Sequence, residues 1–402
     1  MHLTVDNLFR NRLFLIVFLF VLFRPEIVKQ YTYLDLIVTC IRILAIFVVI
    51  YCFIIKKQFS NYNLLFLLFF FCGYNLLSVF YDCLKFHDLI NFALVIAVLL
   101  LIEFTSNKND FKPIHFSLGV YIWICTVCNI ISIFMVNDEN NQFLGFDNDI
   151  LMKILPLTIA YLSLSSLLYK RFLLINFVLL LLLLINFCLT WSATALVSYA
   201  LLIVMLYVLP NRIFQYIKLK FIVVFPLVIF ILLYYFQVQY YFSWFFVDFL
   251  GKDLLLNYRM YLWESSVDAI SNKPLLGFGN IVDSIQYYNI VTKLLSRTIV
   301  PHNMWLYITS TTGFVGLVFF IVFVYKKLIV IFNLFYLPCA KVIISGIFVF
   351  CISASFASLY PFEYIFFMIF IAEKEGIYYL KLTKNNPLKS NDLFNPLRKI
   401  TK

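Results

Sequence analysis

Apolar runs of about twenty residues, separated by short charged connections, recur along almost the whole chain. A bilayer core of roughly 30 Å is crossed by about 20 helical residues, and in hydrocarbon a single segment can satisfy its own backbone polar groups only as a helix. That rule places spans at 11–23, 33–55, 64–80, 89–105, 115–136, 150–168, 172–190, 193–209, 221–237, 303–325, 341–359 and 362–380. Composition agrees: 64% of residues are hydrophobic, 13% are charged, and mean hydropathy is +0.96. A soluble surface needs roughly a quarter of its residues charged, so a soluble fold is excluded. The expected fold is an all-α polytopic membrane protein of about 12 transmembrane helices with one long external (periplasmic) loop lobe.

The net charge of +11 does not form a nucleic-acid patch, because the basic residues are distributed among short loops. With both termini in the cytoplasm, Arg10, Arg12, Lys56, Lys57, Lys108, Lys112, Lys170, Arg171, Arg212, Lys218, Lys220, Lys326 and Lys327 all fall inside. Acidic loops such as Asp138 to Asp149 fall outside, as the positive-inside rule requires. The first apolar run follows Arg10 and Arg12 like a signal peptide. It lacks a small-residue cleavage site and ends in Arg24-Pro25, so it reads as a retained span. Most of the nine cysteines lie inside apolar segments, and Cys125-x-x-Cys128 reads as helix packing rather than a redox pair.

One connection departs from the short loops: about 65 residues from Gln237 to Pro301, on the external side. It is not low-complexity, and it holds a helix-like stretch from Tyr258 to Ile270 followed by a Lys273-Pro274 break. The chain thus divides into an N-terminal bundle (1–236), an external lobe (237–301), C-terminal helices (302–380) and a basic tail (381–402). In and after the lobe come Arg259-Met-Tyr-Leu-Trp263, Asn272-Lys-Pro-Leu-Leu-Gly277-Phe-Gly279, Pro301-His302-Asn303-Met-Trp305 and Gly313-Phe-Val-Gly316. His302 is a proton acceptor near neutrality or, more plainly, a residue at a helix start. Arg259 and Arg297 can grip phosphate in fork geometry or stand as surface charges. Trp263 and Trp305 suit sugar stacking or simply the membrane interface, and the glycines after Pro274 suit a tight turn.

In this order the motifs resemble the signature region of the O-antigen polymerase and O-antigen ligase superfamily of bacterial membrane glycosyltransferases. The resemblance is close over about 60 residues. It implies catalytic roles for His302 and Arg259, beside which Asn303, Arg297, Lys153 and Trp263 are the candidate substrate-binding residues. It also implies a polyprenyl diphosphate-linked oligosaccharide donor at the outer face of the bacterial cytoplasmic (inner) membrane, with no metal and no cofactor. A chain-length regulator is a candidate partner besides the lipid bilayer. One departure stands out. Where ligases carry an Arg after a T-x-S turn, this chain reads Thr190-Trp191-Ser192-Ala193. Lys153 or Arg42 is the candidate replacement, although Asp35 and Arg42, seven apart on one helix face, can pair with each other. The absent arginine favours a polymerase over a ligase. A flippase is the rival from another class, and it should carry more charges within its spans than Asp35, Arg42 and Lys153.

Overall fold

The computed structural model describes residues 11–56, 86–106, 110–135, 142–145, 147–169, 174–214, 216–249, 259–279, 302–356 and 363–385. These residues are all helix and connection, with no strand among them. The main helices are α1 (Arg12–Leu22), α2 (Thr32–Lys56), α3 (Phe86–Ser106), α4 (Lys112–Met135), α5 (Asp147–Tyr169), α6 (Leu174–Leu189), α7 (Ala193–Ile203), α8 (Leu219–Tyr234), α9 (Arg259–Asn272), α10 (Met304–Asn333), α11 (Pro338–Ala354) and α12 (Glu363–Asn385). Ten overlap expected spans, α10 covers the one at 303–325 only as a bent helix, α9 is the lobe helix, and the expected span at 64–80 lies outside the described residues. Length and apolar composition alone qualify α4, α5 and α10 to cross a membrane; α1, α6, α8 and α11 are apolar but shorter.

The core is built around α5, whose residues from Ile150 to Tyr169 are almost wholly buried. A helix apolar on every side has no solvent face and belongs inside a bundle. It packs against α11 and α12, and Gly346 of α11 allows the close approach: a Cβ there would lie 2.4 Å from Ile159. Small residues at such crossings let two backbones meet, which matters in lipid, where the hydrophobic effect gives helices little reason to associate. Cys125 is fully buried in α4 and, like Cys128, unbridged.

Buried polar groups tie the bundle at both ends. On α12 three consecutive residues each reach a different helix. Glu373 accepts from Lys327 of α10 at 2.7 Å, Lys374 donates to Glu103 of α3 at 2.6 Å, and Glu375 accepts from Ser163 of α5. At the other end, Lys153 donates to Glu26 at 2.9 Å and to the Leu144 carbonyl at 2.7 Å. The expected pairing of Asp35 with Arg42 does not form. Asp35 takes Arg24, while Arg42 donates to the Leu22 carbonyl at 3.0 Å and lies 3.8 Å from Glu363. The chain crossing between α1 and α2 brings Arg24 nearer to Asp35 than a same-helix partner two turns away. The charged set within the helices is also larger than Asp35, Arg42 and Lys153, since Glu103, Lys327, Glu373, Lys374 and Glu375 join it, all but Glu375 in ion pairs.

The tenth helix is not one straight rod. Trp305 and Phe320 lie fifteen residues apart, which a straight helix would separate by about 22 Å. Their ring centroids are 6.4 Å apart. The axis therefore bends back sharply, and it does so at Gly313, whose φ of 69° and ψ of −176° are not helical. Thr309, Ser310, Thr311 and Thr312 precede the bend, and each hydroxyl bonds back to a carbonyl of the preceding turn, a habit that bends helices. After the bend, Phe320, Phe323 and Lys327 run alongside Phe366, Phe370 and Glu373 of α12. Before it, residues 304–312 pack on α9. The expected span at 303–325 is thus corrected: the stretch beside α12 begins only after Gly313.

Candidate functional site

The site forms where α9 meets the start of α10. Asn303 caps α10, its Oδ1 accepting from the N–H groups of Trp305 at 3.0 Å and Leu306 at 3.2 Å, while its Nδ2 donates to the Ser355 carbonyl at the end of α11 at 3.2 Å. Both polar ends of its amide are thus engaged by protein. The cap holds His302 immediately ahead of the helix, with φ at +48°, a left-handed conformation that histidine tolerates better than most side chains.

Two consequences follow for His302. Its Nδ1 is buried without a hydrogen-bond partner among the described residues, and so is the indole N–H of Trp305 one turn on. Burial, with a smaller contribution from the Arg259 guanidinium, pushes the imidazole down to about 4. The ring is therefore neutral near pH 7, with one N–H, one lone-pair nitrogen and no net charge, and it titrates well below the neutrality expected from the sequence. Arg259 stands in the first turn of α9, which packs on α10, although 43 positions separate it from His302 in the sequence.

The other expected site residues have different surroundings. Trp263 is completely buried and packs against Leu233, Leu306, Phe230 and Phe356. It anchors α9 to α8 and α10, and it presents no face for a sugar. The Lys153 ammonium is engaged by Glu26 and the Leu144 carbonyl, with the residue 2% exposed, so it joins segments of the bundle. Burial alone would raise the Glu26 carboxyl, but Lys153 and Lys29 outweigh it and bring it down to about 2. Arg297 lies outside the described residues.

The turn Thr190-Trp191-Ser192 heads an apolar groove between α6 and α7 of about 840 Å³, lined by residues that include Phe177, Leu181, Trp191, Ala193, Ala200 and Tyr207. Trp191 is left-handed at φ +49° and 72% exposed, while Ser192 caps α7. At its far end α7 widens into a π-turn, Val204–Val208, a local form often kept at functional sites. Sequence reading found the turn but not the groove. The signal was present in the small residues Ala193 and Ala200, which leave room between larger neighbours.

Residues 178–321 match the O-antigen ligase family, a stretch running from α6 through the bend of α10 and including Arg259, His302 and both glycine motifs. No curated protein matches the chain. Over that stretch the chain is similar to O-antigen ligases, and three helices among the described residues are long and apolar enough to cross a membrane.

Proposed function

We propose, from the premise that residues 178–321 carry a domain of the O-antigen polymerase and ligase superfamily, that this chain is a polysaccharide polymerase. It joins polyprenyl diphosphate-linked oligosaccharide repeat units on the outer face of the cytoplasmic membrane, with both termini inside and α9 on the external side. The observation that carries the reading is the buried His302, its Nδ1 without a partner among the described residues, at the head of α10, against which α9 with Arg259 in its first turn packs. An acceptor hydroxyl attacks the anomeric carbon of the donor sugar and passes its proton to His302. The carbon–oxygen bond to the diphosphate breaks, and the polyprenyl diphosphate leaves with the electron pair. Arg259 stabilises the charge that grows on it, as fixed donors do in a water-poor site. The groove below Trp191 takes the apolar chain.

A ligase, transferring finished polymer to a lipid A core, is the second reading, and the description of the matched family favours it. Against it stands Ala193, at the first position of α7, where a ligase-type arginine would reach the donor. A strain deleted for the gene tests both. Core carrying a single repeat unit is the expected result; bare core with long polymer on the carrier would assign a ligase, and an unchanged ladder would refute both. His302→Ala and Arg259→Ala should each reproduce the deletion while melting with the wild type.

A further inference from the structure

The bend in α10 is filled by a second segment of chain. In an unbroken helix the Phe314 N–H would donate to the Ser310 carbonyl. Here the Ser310 carbonyl accepts instead from Phe278 N–H at 2.9 Å, while Phe314 N–H donates to the Pro274 carbonyl at 2.8 Å and Val315 N–H to the Leu275 carbonyl at 3.2 Å. The loop after α9 thus substitutes for the missing helical bonds on both sides of the break, leaving those backbone groups satisfied. The two strands meet glycine to glycine. A Cβ on Gly277 would lie 2.6 Å from Gly313 N, and one on Gly313 would lie 2.1 Å from Leu275 O. Both glycines are left-handed, at φ +69°. Gly316 gives the same joint room from the other side, since a Cβ there would meet the Thr312 side chain at 2.0 Å.

The joint connects the elements that carry the reacting groups. Asn272 ends α9, which begins with Arg259; residues 304–312 lead from the joint back to His302. Trp263 makes the second contact between the same two elements, against Leu306. Two attachments, one near each end of α9, fix its direction relative to the start of α10. We infer that the interlocked turns at Gly277 and Gly313 form a clasp that sets the separation of Arg259 from His302. Gly277 and Gly313 are accordingly positioning residues for the transfer. This rests on the reading of Arg259 and His302 as the reacting pair.

Gly277→Ala and Gly313→Ala are the direct variants, but each puts a Cβ into backbone and so threatens the fold itself. The decisive variant therefore inserts Gly-Ser between Asn272 and Lys273, which adds slack between α9 and the clasp and leaves every clasp hydrogen bond its partners. Purified full-length chain in proteoliposomes is assayed with the host's own lipid-linked repeat units, extracted from the deletion strain. Misplacement by about 1 Å costs roughly a hundredfold in rate. The insertion should therefore melt with the wild type and lower kcat about a hundredfold, with KM little changed. In an Arg259→Lys background, whose lysine has already lost the fork geometry, the same insertion should cost less than about threefold, because the clasp acts through that side chain. An equal loss in both backgrounds would mark the loop as a fold element only and overturn the inference, as would an insertion that leaves kcat unchanged. Full activity of Arg259→Ala, measured beforehand without any insertion, would overturn the site reading, and the clasp inference with it.

Discussion

Replacing Lys153 with methionine tests whether this lysine serves substrate or structure. Its Nζ lies 2.9 Å from Glu26 Oε1 and 2.7 Å from the Leu144 carbonyl, in a position 2% exposed. With Lys29 it brings the Glu26 carboxyl from 4.5 to about 2 against the opposing effect of burial. That difference corresponds to about 3 kcal/mol of stability, at 1.36 kcal/mol per pH unit. Because the folded-state value is the depressed one, this contribution is complete above pH 4.5 and disappears as the pH falls through about 2. Methionine keeps the aliphatic volume but leaves a half-buried carboxylate with only the more exposed Lys29. Breaking one side of such a pair costs roughly 3–5 kcal/mol, whereas neutralising both sides costs much less. Lys153→Met should therefore lose about 3 kcal/mol near pH 7, and Lys153→Met with Glu26→Gln should recover most of it. The assay is thermal unfolding in detergent, run beside polymer synthesis. A Lys153→Met protein that melts with the wild type yet makes no polymer would refute the structural assignment and return Lys153 to the substrate.

Three further outcomes are expected. Burial and Arg259 hold His302 at about 4, so the acid limb of the pH–rate profile should lie near there and move upward in Arg259→Gln, measured on its residual activity; an unmoved limb would separate the two residues. Trp263→Ala should destabilise by about 3–5 kcal/mol while Trp263→Phe keeps most of the fold, and a stable, inactive Trp263→Ala would instead point to sugar contact. Asn303→Ala removes a helix cap and the tie to Ser355, so it should cost about 1–2 kcal/mol, with Asn303→Asp restoring the cap though not the tie, as read from melting temperatures.

The sequence discloses those parts of this fold that hydrophobic periodicity controls. Helix limits at α4, α5, α6 and α8 fall within a few residues of the expected spans, because bilayer thickness and backbone satisfaction are local constraints. The lobe helix, expected at 258–270 and found as Arg259–Asn272, was marked by the Lys273-Pro274 break. Contacts between distant segments were not legible. Lys153 and Glu26 are 127 positions apart, and the carboxylate nearest Lys153 in sequence is Asp149, four residues before it. Asp35 and Arg42 satisfy a same-face rule, yet Arg24 arrives from the preceding helix. Trp263 looks like an interfacial aromatic until α8 closes over it. Gly313 and Gly316 stood in the sequence as a motif within one span, whereas Gly313 is the point at which that span turns. Of the site itself, the residue types His302 and Arg259 stood out in sequence; their proximity depends on the folded path of α9 and α10.

The three successive polar residues of α12 have a consequence for how that helix can move. Neighbouring side chains on an α-helix point about 100° apart, so Glu373, Lys374 and Glu375 address three directions, and α10, α3 and α5 answer in each. Together they key the azimuth of α12 as notches key a shaft. A single alanine inserted just before Glu373 would swing all three out of register together, whereas sliding or rocking of the bundle as a unit leaves them seated.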